Sequence, residues 1–330
     1  MPPTSDVPDF PTARLHIVTG KGGTGKTTVA AALAIALAYD GRRTLLIEVE
    51  GRQGIAQLFD CPPLPYEERR VVVAPRGGEV LALAVDDEAA LLDYLEMFYN
   101  LRRAGRALRK MGAIDFATAI APGLRDVLLT GKVKEATTRT AKGRRVYDAV
   151  VLDAPPTGRI TKFLNVTAEV SGLAKVGPVK TQSDGVTAVL RSSQTAIHVV
   201  TLLEEMPVQE TIDAVDELTA TGLPVGAIIV NGAHASLLPP ADQKRAAAGR
   251  LGAARIVAGL DRAGLDGKAL GPALTAQAIE HAQRFAVQDE SRERIRALGR
   301  PTVELPLLPA PMDLGALFEL AEVLREGGVR

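Results

Sequence analysis

The sequence predicts an α/β protein: a doubly wound, mostly parallel sheet flanked by helices on both faces, with a helical insertion. Three observations carry that expectation. Short apolar or β-branched runs bounded by turn residues alternate with helical patterns, as they do when helical crossovers join parallel strands. The stretch Gly20-Lys21-Gly22-Gly23-Thr24-Gly25-Lys26-Thr27-Thr28 lies between the apolar run from Leu15 to Val18 and the Ala/Leu-rich segment from Val29 to Tyr39, and so reads as strand, glycine loop, helix. Asp153 leaves the apolar pair Val151-Leu152 straight into the turn Ala154-Pro155-Pro156-Thr157-Gly158, at the kind of strand end where open α/β sheets hold ligands.

Residues 1–12 carry acids and prolines with no apolar core and are expected to be a flexible lead, not a signal peptide. Strands are expected over Arg14–Thr19, Arg43–Val49, Val80–Val85, Tyr147–Asp153, Ala196–Leu203, Val225–Asn231 and Thr302–Leu307. Val71–Ala74 and Val80–Val85, around Pro75-Arg76-Gly77-Gly78, suggest a hairpin that feeds the sheet edge. Residues 86–145 break the alternation and are expected to be a helical insertion within a single 1–330 domain. There Leu91, Leu95, Phe98 and Leu101 recur at helical spacing, and Arg102, Arg103, Arg106, Arg109 and Lys110 form a basic face. Gly112 and Ala121-Pro122-Gly123 divide the insertion into shorter helices. The apolar stripe is expected to be core, and the basic face a solvated helix surface. From Pro240 to Leu298 the Ala, Arg, Gln and Glu content and the interspersed glycines suggest several solvent-facing helices over the end of the sheet. The amphipathic segment with Leu314, Leu317, Phe318, Ala321 and Leu324 carries Glu319, Glu322 and Glu326 on its polar side, which suits packing on the sheet better than lying on a membrane.

Composition excludes several classes. With 46% hydrophobic and 24% charged residues the chain can bury a sizeable core. Basic and acidic residues balance at 39 each, so no global field draws it to nucleic acid. A single cysteine, Cys61, allows neither an internal disulfide nor a cysteine-built zinc or iron–sulfur site, which fits a reducing, cytoplasmic setting. The most apolar run, Val29 to Tyr39, is too short to span a bilayer, so no integral membrane segment is expected. His16, His198 and His234 are isolated, lack metal-ligand spacing and are expected to be structural.

The chemistry gathers at the strand ends. In the glycine loop, successive backbone N–H groups wrap an anion at a helix N-terminus, Lys26 reaches the outer phosphates of ATP, and the Thr27 hydroxyl holds Mg²⁺. Asp153 can orient Mg²⁺ and its waters, and the turn after it can move when a γ-phosphate is lost. After Leu45-Leu46-Ile47 comes Glu48-Val49-Glu50-Gly51-Arg52-Gln53-Gly54, where a carboxylate could position the attacking water. Strand alternation points Glu48 and Glu50 the same way and does not choose between them. Arg52 suits a phosphate or a neighbouring acid equally.

The second lysine of the loop, Lys21, makes the pattern K-G-G-x-G-K-T-T, which resembles the deviant Walker A loop of P-loop ATPases such as ArsA, MinD, ParA and nitrogenase iron protein. That resemblance implies a dimer facing across two nucleotides, with Lys21 of each subunit contacting the other's phosphate. The run from Glu79 to Tyr94, Ala121-Pro122-Gly123, Asp153 through Gly158, Asn231 and Leu305-Pro306-Leu307-Leu308-Pro309 narrow the resemblance to the ArsA-like branch, which includes arsenite-pump ATPases and ATPases that target tail-anchored membrane proteins. By that likeness Asp153 is similar to the switch II aspartate, Asn231 to the adenine-contacting asparagine, and Pro309-Ala310-Pro311 to the loop closing over the base. Gly20, Gly22, Gly23, Thr24, Gly25, Lys26, Thr27 and Thr28 would bind ATP, Thr27 and Asp153 would serve Mg²⁺, and Lys21, Lys26, Glu50 and Asp153 would carry catalysis.

The sequence departs from the branch at switch I. Glu50-Gly51-Arg52-Gln53 stands where the branch has Asp-Pro-Ala-His, and the extra methylene of Glu50 implies a different seat for water and a hydrolysis that is slow or needs a partner subunit. The cysteines for metalloid binding or a zinc-bridged dimer are missing. The expectation is a Mg²⁺-dependent dimeric ATPase, either a homodimer or a heterodimer with a related ATPase, that moves a helical subdomain bound to a protein client or membrane-associated partner. The alternatives are a ParA- or MinD-like positioning ATPase acting on DNA or membrane, and a low-turnover nucleotide-binding subunit of a heterodimer.

Overall fold

The computed structural model describes residues 9–86, 89–90, 124–165, 178–308 and 311–330. β1 (Leu15–Gly20) leads through the glycine loop into α1 (Lys26–Ala38), followed by β2 (Arg43–Glu48), α2 (Gly54–Leu58), β3 (Arg69–Ala74) and β4 (Gly78–Ala84). Then come α3 (Leu124–Thr138), a short ribbon of β5 (Thr140–Ala141) and β6 (Arg144–Arg145), β7 (Ala149–Asp153), α4 (Thr157–Leu164) and α5 (Pro178–Leu190). The chain continues with β8 (Thr195–Thr201), α6 (Glu205–Ala220), β9 (Val225–Ala233), α7 (Pro240–Ala247), α8 (Ala253–Arg262), α9 (Gly267–Arg296), β10 (Thr302–Pro306) and α10 (Leu314–Glu326).

Eight strands form one sheet in the order β10-β9-β8-β1-β7-β2-β4-β3. All neighbours are parallel except β3, which pairs antiparallel with β4 at the edge. The expected edge hairpin is therefore present, with Arg69 and Arg70 on its exposed outer strand, where charge discourages pairing with another chain. Central strands such as β1 and β8 are buried along their whole length, which explains why they read as unbroken apolar runs. The order changes direction at β1, which has β7 on one side and β8 on the other. Such a reversal opens a crevice beyond the carboxyl ends of the strands.

The two faces bury different helices. On one, Ala30 through Ala38 of α1 pack with Ile55 of α2 and with Leu317, Leu320, Ala321 and Leu324 of α10. A helix apolar all round has to sit between layers, and its small side chains let sheet and α10 approach closely. The C-terminal amphipathic segment thus uses its stripe for packing, as its acidic polar side suggested. On the other face Val127, Leu129 and Val133 of α3, Ile160 and Phe163 of α4, and Val215 and Leu218 of α6 cover β1, β2, β7 and β8. The stretch 240–298 is helical in glycine-bounded pieces, α7, α8 and α9, which are largely solvent-facing.

Two expectations are refined. Residues 140–145, read as the end of the helical insertion, form the β5–β6 ribbon, because Lys142 (φ 50°) and Gly143 (φ 76°) both take the left-handed conformation of a tight hairpin turn. The apolar stripe at Leu91, Leu95, Phe98 and Leu101, the basic face from Arg102 to Lys110, and the 121–123 break lie outside the described residues.

His16 and His198 are structural in a specific way. They are 1% and 0% exposed, on the adjacent strands β1 and β8, and stack with Phe10. Their hydrogen bonds run in one direction: the Ala227 N–H donates to His198 Nδ1 (3.1 Å), the two rings bond through His198 Nε2 and His16 Nδ1 (3.0 Å), and His16 Nε2 meets the Ala13 carbonyl (3.1 Å). A carbonyl can only accept and an amide N–H can only donate, so both rings must be neutral with their protons on Nε2. The pairing of β8 with β9 shifts register between Ile197 and Val199, which frees the Ala227 N–H, and Gly226 lets the His198 ring lie against the backbone. A third proton has no acceptor, and burial holds His16 down at about 4 and His198 well below its ordinary value.

Unfolding releases both rings to their ordinary affinity, so the unfolded chain takes up protons first. The histidines' contribution to stability is therefore full above about pH 6.5 and is lost as pH drops toward about 4, with His16 alone accounting for about 3 kcal/mol, while Asp153, pushed up to about 6 by burial, acts in the opposite sense over the same range. Urea unfolding across that range should show wild-type stability falling relative to that of His16→Asn as pH drops, so that the two proteins differ in slope against pH. Equal slopes in the two proteins would remove the histidine chain as the cause.

Candidate active site

The glycine loop lies at the crevice where the strand order reverses. Gly25 caps α1 with φ 84°, a left-handed conformation that suits glycine, and a Cβ there would strike the Asn231 side-chain amide. Asn231 Nδ2 donates to the Thr24 carbonyl (2.9 Å), so the late strand β9 braces the loop across the sheet. Thr24 is itself buried and donates from Oγ1 to the Lys21 carbonyl (2.9 Å). Gly22 and Gly23 are exposed at the tip, and Thr27 and Thr28 are half-buried in the first turn of α1. Lys26 is buried, and its Nζ folds back toward the Lys21 carbonyl at 3.4 Å.

Parallel pairing supplies the opposing side of the site. β7 lies beside both β1 and β2, which puts Asp153 level with Val18 on one side and with Glu48 on the other. The Thr27 hydroxyl donates to Asp153 Oδ2 at 2.7 Å, so the two residues the sequence assigns to one cation are in direct contact. The turn after Asp153 is anchored by the buried Thr19 hydroxyl, which donates to the Pro155 carbonyl (2.7 Å), and Thr157 opens α4 from a buried position.

The charges are unbalanced. Burial lowers the proton affinity of Lys26, with Asp153 and Glu50 opposing that shift and Arg52 adding to it. Asp153 is pushed up to about 6, chiefly by burial; Thr27 and Lys26 favour its charged form, while Glu48 and Glu50 raise it further. Three carboxylates thus act on a region with one buried lysine. Such a site gains from a cation.

Glu48 and Glu50 separate. β2 ends at Glu48, which is 2% exposed; its Oε2 accepts from the Ile55 N–H (3.2 Å), and its Oε1 is buried without a partner. Beyond it the chain turns through left-handed Gly51 (φ 65°) and Gln53 (φ 55°), so strand alternation no longer describes Glu50. Glu50 stands 3.7 Å from Arg52 and lines a cleft with Arg125 and Asp126 of α3 and Pro155, Arg159 and Phe163 on the switch II side. Lys21 pairs within its own chain, its Nζ donating to Glu210 Oε1 at 2.6 Å on α6. Pro309 and Ala310 lie outside the described residues, and Pro311 is exposed.

Sequence reasoning missed Glu210, the arginines Arg125 and Arg159, and the deep burial of Glu48. Only Arg159 carried a local signal, since it directly follows Thr157-Gly158. No helix among the described residues is long and apolar enough to cross a membrane.

A family model described as anion-transporting ATPase matches residues 13–192, a span that runs from β1 through the glycine loop and Asp153 to the end of α5. The chain is 57% identical over 321 residues to ATPase BagA of Mycobacterium tuberculosis, covering 96% of this chain and 94% of that protein. It is 27% identical to ATPase GET3 of Kluyveromyces lactis, over 67% of this chain and 72% of that one. It is 26% identical to the arsenical pump-driving ATPase of Escherichia coli, over 69% of this chain but 40% of that protein. A glycine loop facing a strand-end aspartate, and a family match that spans both, lead to one conclusion: the chain belongs to the anion-transporting ATPase family and is an ATPase.

Proposed function

We propose that the protein is a Mg²⁺-dependent ATPase that works as a dimer, homomeric or with a related ATPase, and that converts nucleotide state into movement of helices engaging a protein partner. The observation that carries this is the 2.7 Å contact between Thr27 and Asp153 beside Lys26, where carboxylates outnumber buried cations. The residues fit Mg²⁺: Thr27 and Asp153 offer hard oxygen donors, and Glu48 Oε1 is a buried acceptor in want of a donor such as a metal-bound water. When bound, Mg²⁺ would neutralise charge on the β- and γ-phosphates.

In this proposal the amides of Gly22 to Thr28 and the Lys26 ammonium bind the phosphates, and Lys26 leaves the Lys21 carbonyl to do so. Asn231 contacts the base while bracing the loop, and the 309–311 segment with Pro309, Ala310 and Pro311 closes over it. Glu50, at the mouth of the cleft and free of the β2 ladder, positions the attacking water, and Glu48 steadies the inner shell. Lys21 stabilises phosphate charge in the partner subunit. For that it has to exchange Glu210 for phosphate, so the ion pair keeps the signature lysine at home until a second subunit arrives. This pair supports a nucleotide-gated dimer over a permanent one.

Loss of a water-positioning carboxylate costs about 10²–10⁴ in rate, so Glu50→Gln should lower kcat by that order while ATP affinity changes little. Full activity in Glu50→Gln together with loss in Glu48→Gln would transfer the role to Glu48.

Light scattering with a non-hydrolysable ATP analogue should show a dimer for wild type and a higher dimer fraction at equal concentration for Glu210→Gln. Lys21→Ala should lose turnover by about 10³ or more, the scale of a charge-stabilising cation supplied in trans. A strictly monomeric protein with nucleotide bound would defeat the dimer model.

A further inference from the structure

On the face that carries α3 and α4, beyond the carboxyl ends of β2 and β7, lies a cleft of about 210 Å³. Its apolar wall is Val49, Leu129, Pro155 and Phe163. Three guanidinium groups, from Arg52, Arg125 and Arg159, face two carboxylates, Glu50 and Asp126. Each arginine comes from a different segment: the turn after β2, the start of α3 and the first turn of α4. Arg125 and Asp126 have partners of their own. Arg159 is exposed and makes no ion pair among the described residues, and Arg52 reaches only Glu50 at 3.7 Å with its side chain 74% exposed. Among the described residues, then, the Arg159 fork has no ion-pair acceptor and the Arg52 fork has only the 3.7 Å contact with Glu50, across a pocket with an apolar wall.

A guanidinium fork matches two oxygens of one anion, and a pair of forks from separate segments matches a tetrahedral oxyanion better than a flat carboxylate. The cleft is also electrostatically coupled to phosphate chemistry, because Arg52 and Glu50 both act on Lys26. We propose that this cleft is a second oxyanion site that takes inorganic phosphate, with Arg159 and Arg52 as its principal ligands. With those ligands a bound phosphate ties the turn after β2 to α4, the helix that follows Asp153. Two sources share this chemistry, the phosphate released by hydrolysis and phosphate from solution.

The test is calorimetric titration of the full chain with sodium phosphate at fixed ionic strength, first nucleotide-free and then saturated with a non-hydrolysable ATP analogue. The analogue's own isotherm reports nucleotide binding separately, so a failure of the ATPase proposal is seen apart from a failure of this one. Phosphate held by the glycine loop disappears once the analogue occupies it, whereas cleft-bound phosphate persists. Persisting binding should weaken by at least about tenfold in the Arg52→Gln/Arg159→Gln double variant, as expected when charge-assisted hydrogen bonds are lost. Both side chains are exposed, so the variant should fold. Single-turnover phosphate release that changes in the double variant assigns the occupant to the hydrolysis product; unchanged release, with wild-type turnover still sensitive to added phosphate, assigns it to solution. No phosphate binding to the analogue-saturated wild type, or equal binding in the double variant, overturns the proposal.

Discussion

β7 lies between β1 and β2, parallel to both, and the meeting of the glycine loop with the strand-end acids depends on that adjacency. Parallel pairing brings three carboxyl ends to one edge, so a glycine loop after β1, a carboxylate at the end of β7 and another at the end of β2 meet without any long loop to hold them. The contact between Thr27 and Asp153, 126 residues apart in sequence, is set by strand register, not by the flexible turns on either side. Register in a buried sheet is rigid because a one-residue slip would turn apolar side chains out of both cores. The chemistry therefore inherits its precision from packing.

The same sheet buries polar groups in two opposite ways. Between β1 and β8 the two histidines, one carbonyl and one amide close a chain in which every ring nitrogen is satisfied, and the result is inert stability. At the carboxyl end Glu48 keeps an oxygen with no partner, and Asp153 is held up at about 6 because burial penalises its charge. Unsatisfied buried acceptors cost free energy in the empty protein. In the proposed mechanism that cost would be recovered on binding a cation and phosphates, and the binding energy would be available to move the segments attached to these strand ends. Three such segments surround the site: the turn holding Glu50 and Arg52, the turn anchored by Thr19, and α6, which carries Glu210.

Much of this was legible in the chain. The glycine loop and its strand–helix context, the parallel sheet with its antiparallel edge, Asp153 at a strand end and the inward stripe of the last helix all follow from local periodicity and from residues whose backbone demands are narrow. These features are encoded by neighbours in sequence. The 140–145 ribbon escaped because a Lys-Gly pair in left-handed conformation is a weak signal beside a helical pattern. The histidines were recognised as structural, yet their pairing across β1 and β8 was not, since it depends on a register shift in β9 that no local pattern announces.

What the sequence by itself determined is the glycine loop, the class of sheet that presents it and the strand-end acid that faces it, because each rests on short-range geometry. Only the tertiary structure decided which switch acid is buried and which stands at a cleft, because β2 ends between Glu48 and Glu50 and alternation stops there. It alone paired Lys21 with Glu210 and gathered Arg52, Arg125 and Arg159 around one pocket. Those contacts join residues far apart along the chain, and long-range electrostatic partners are chosen by how layers pack, which no stretch of sequence encodes locally.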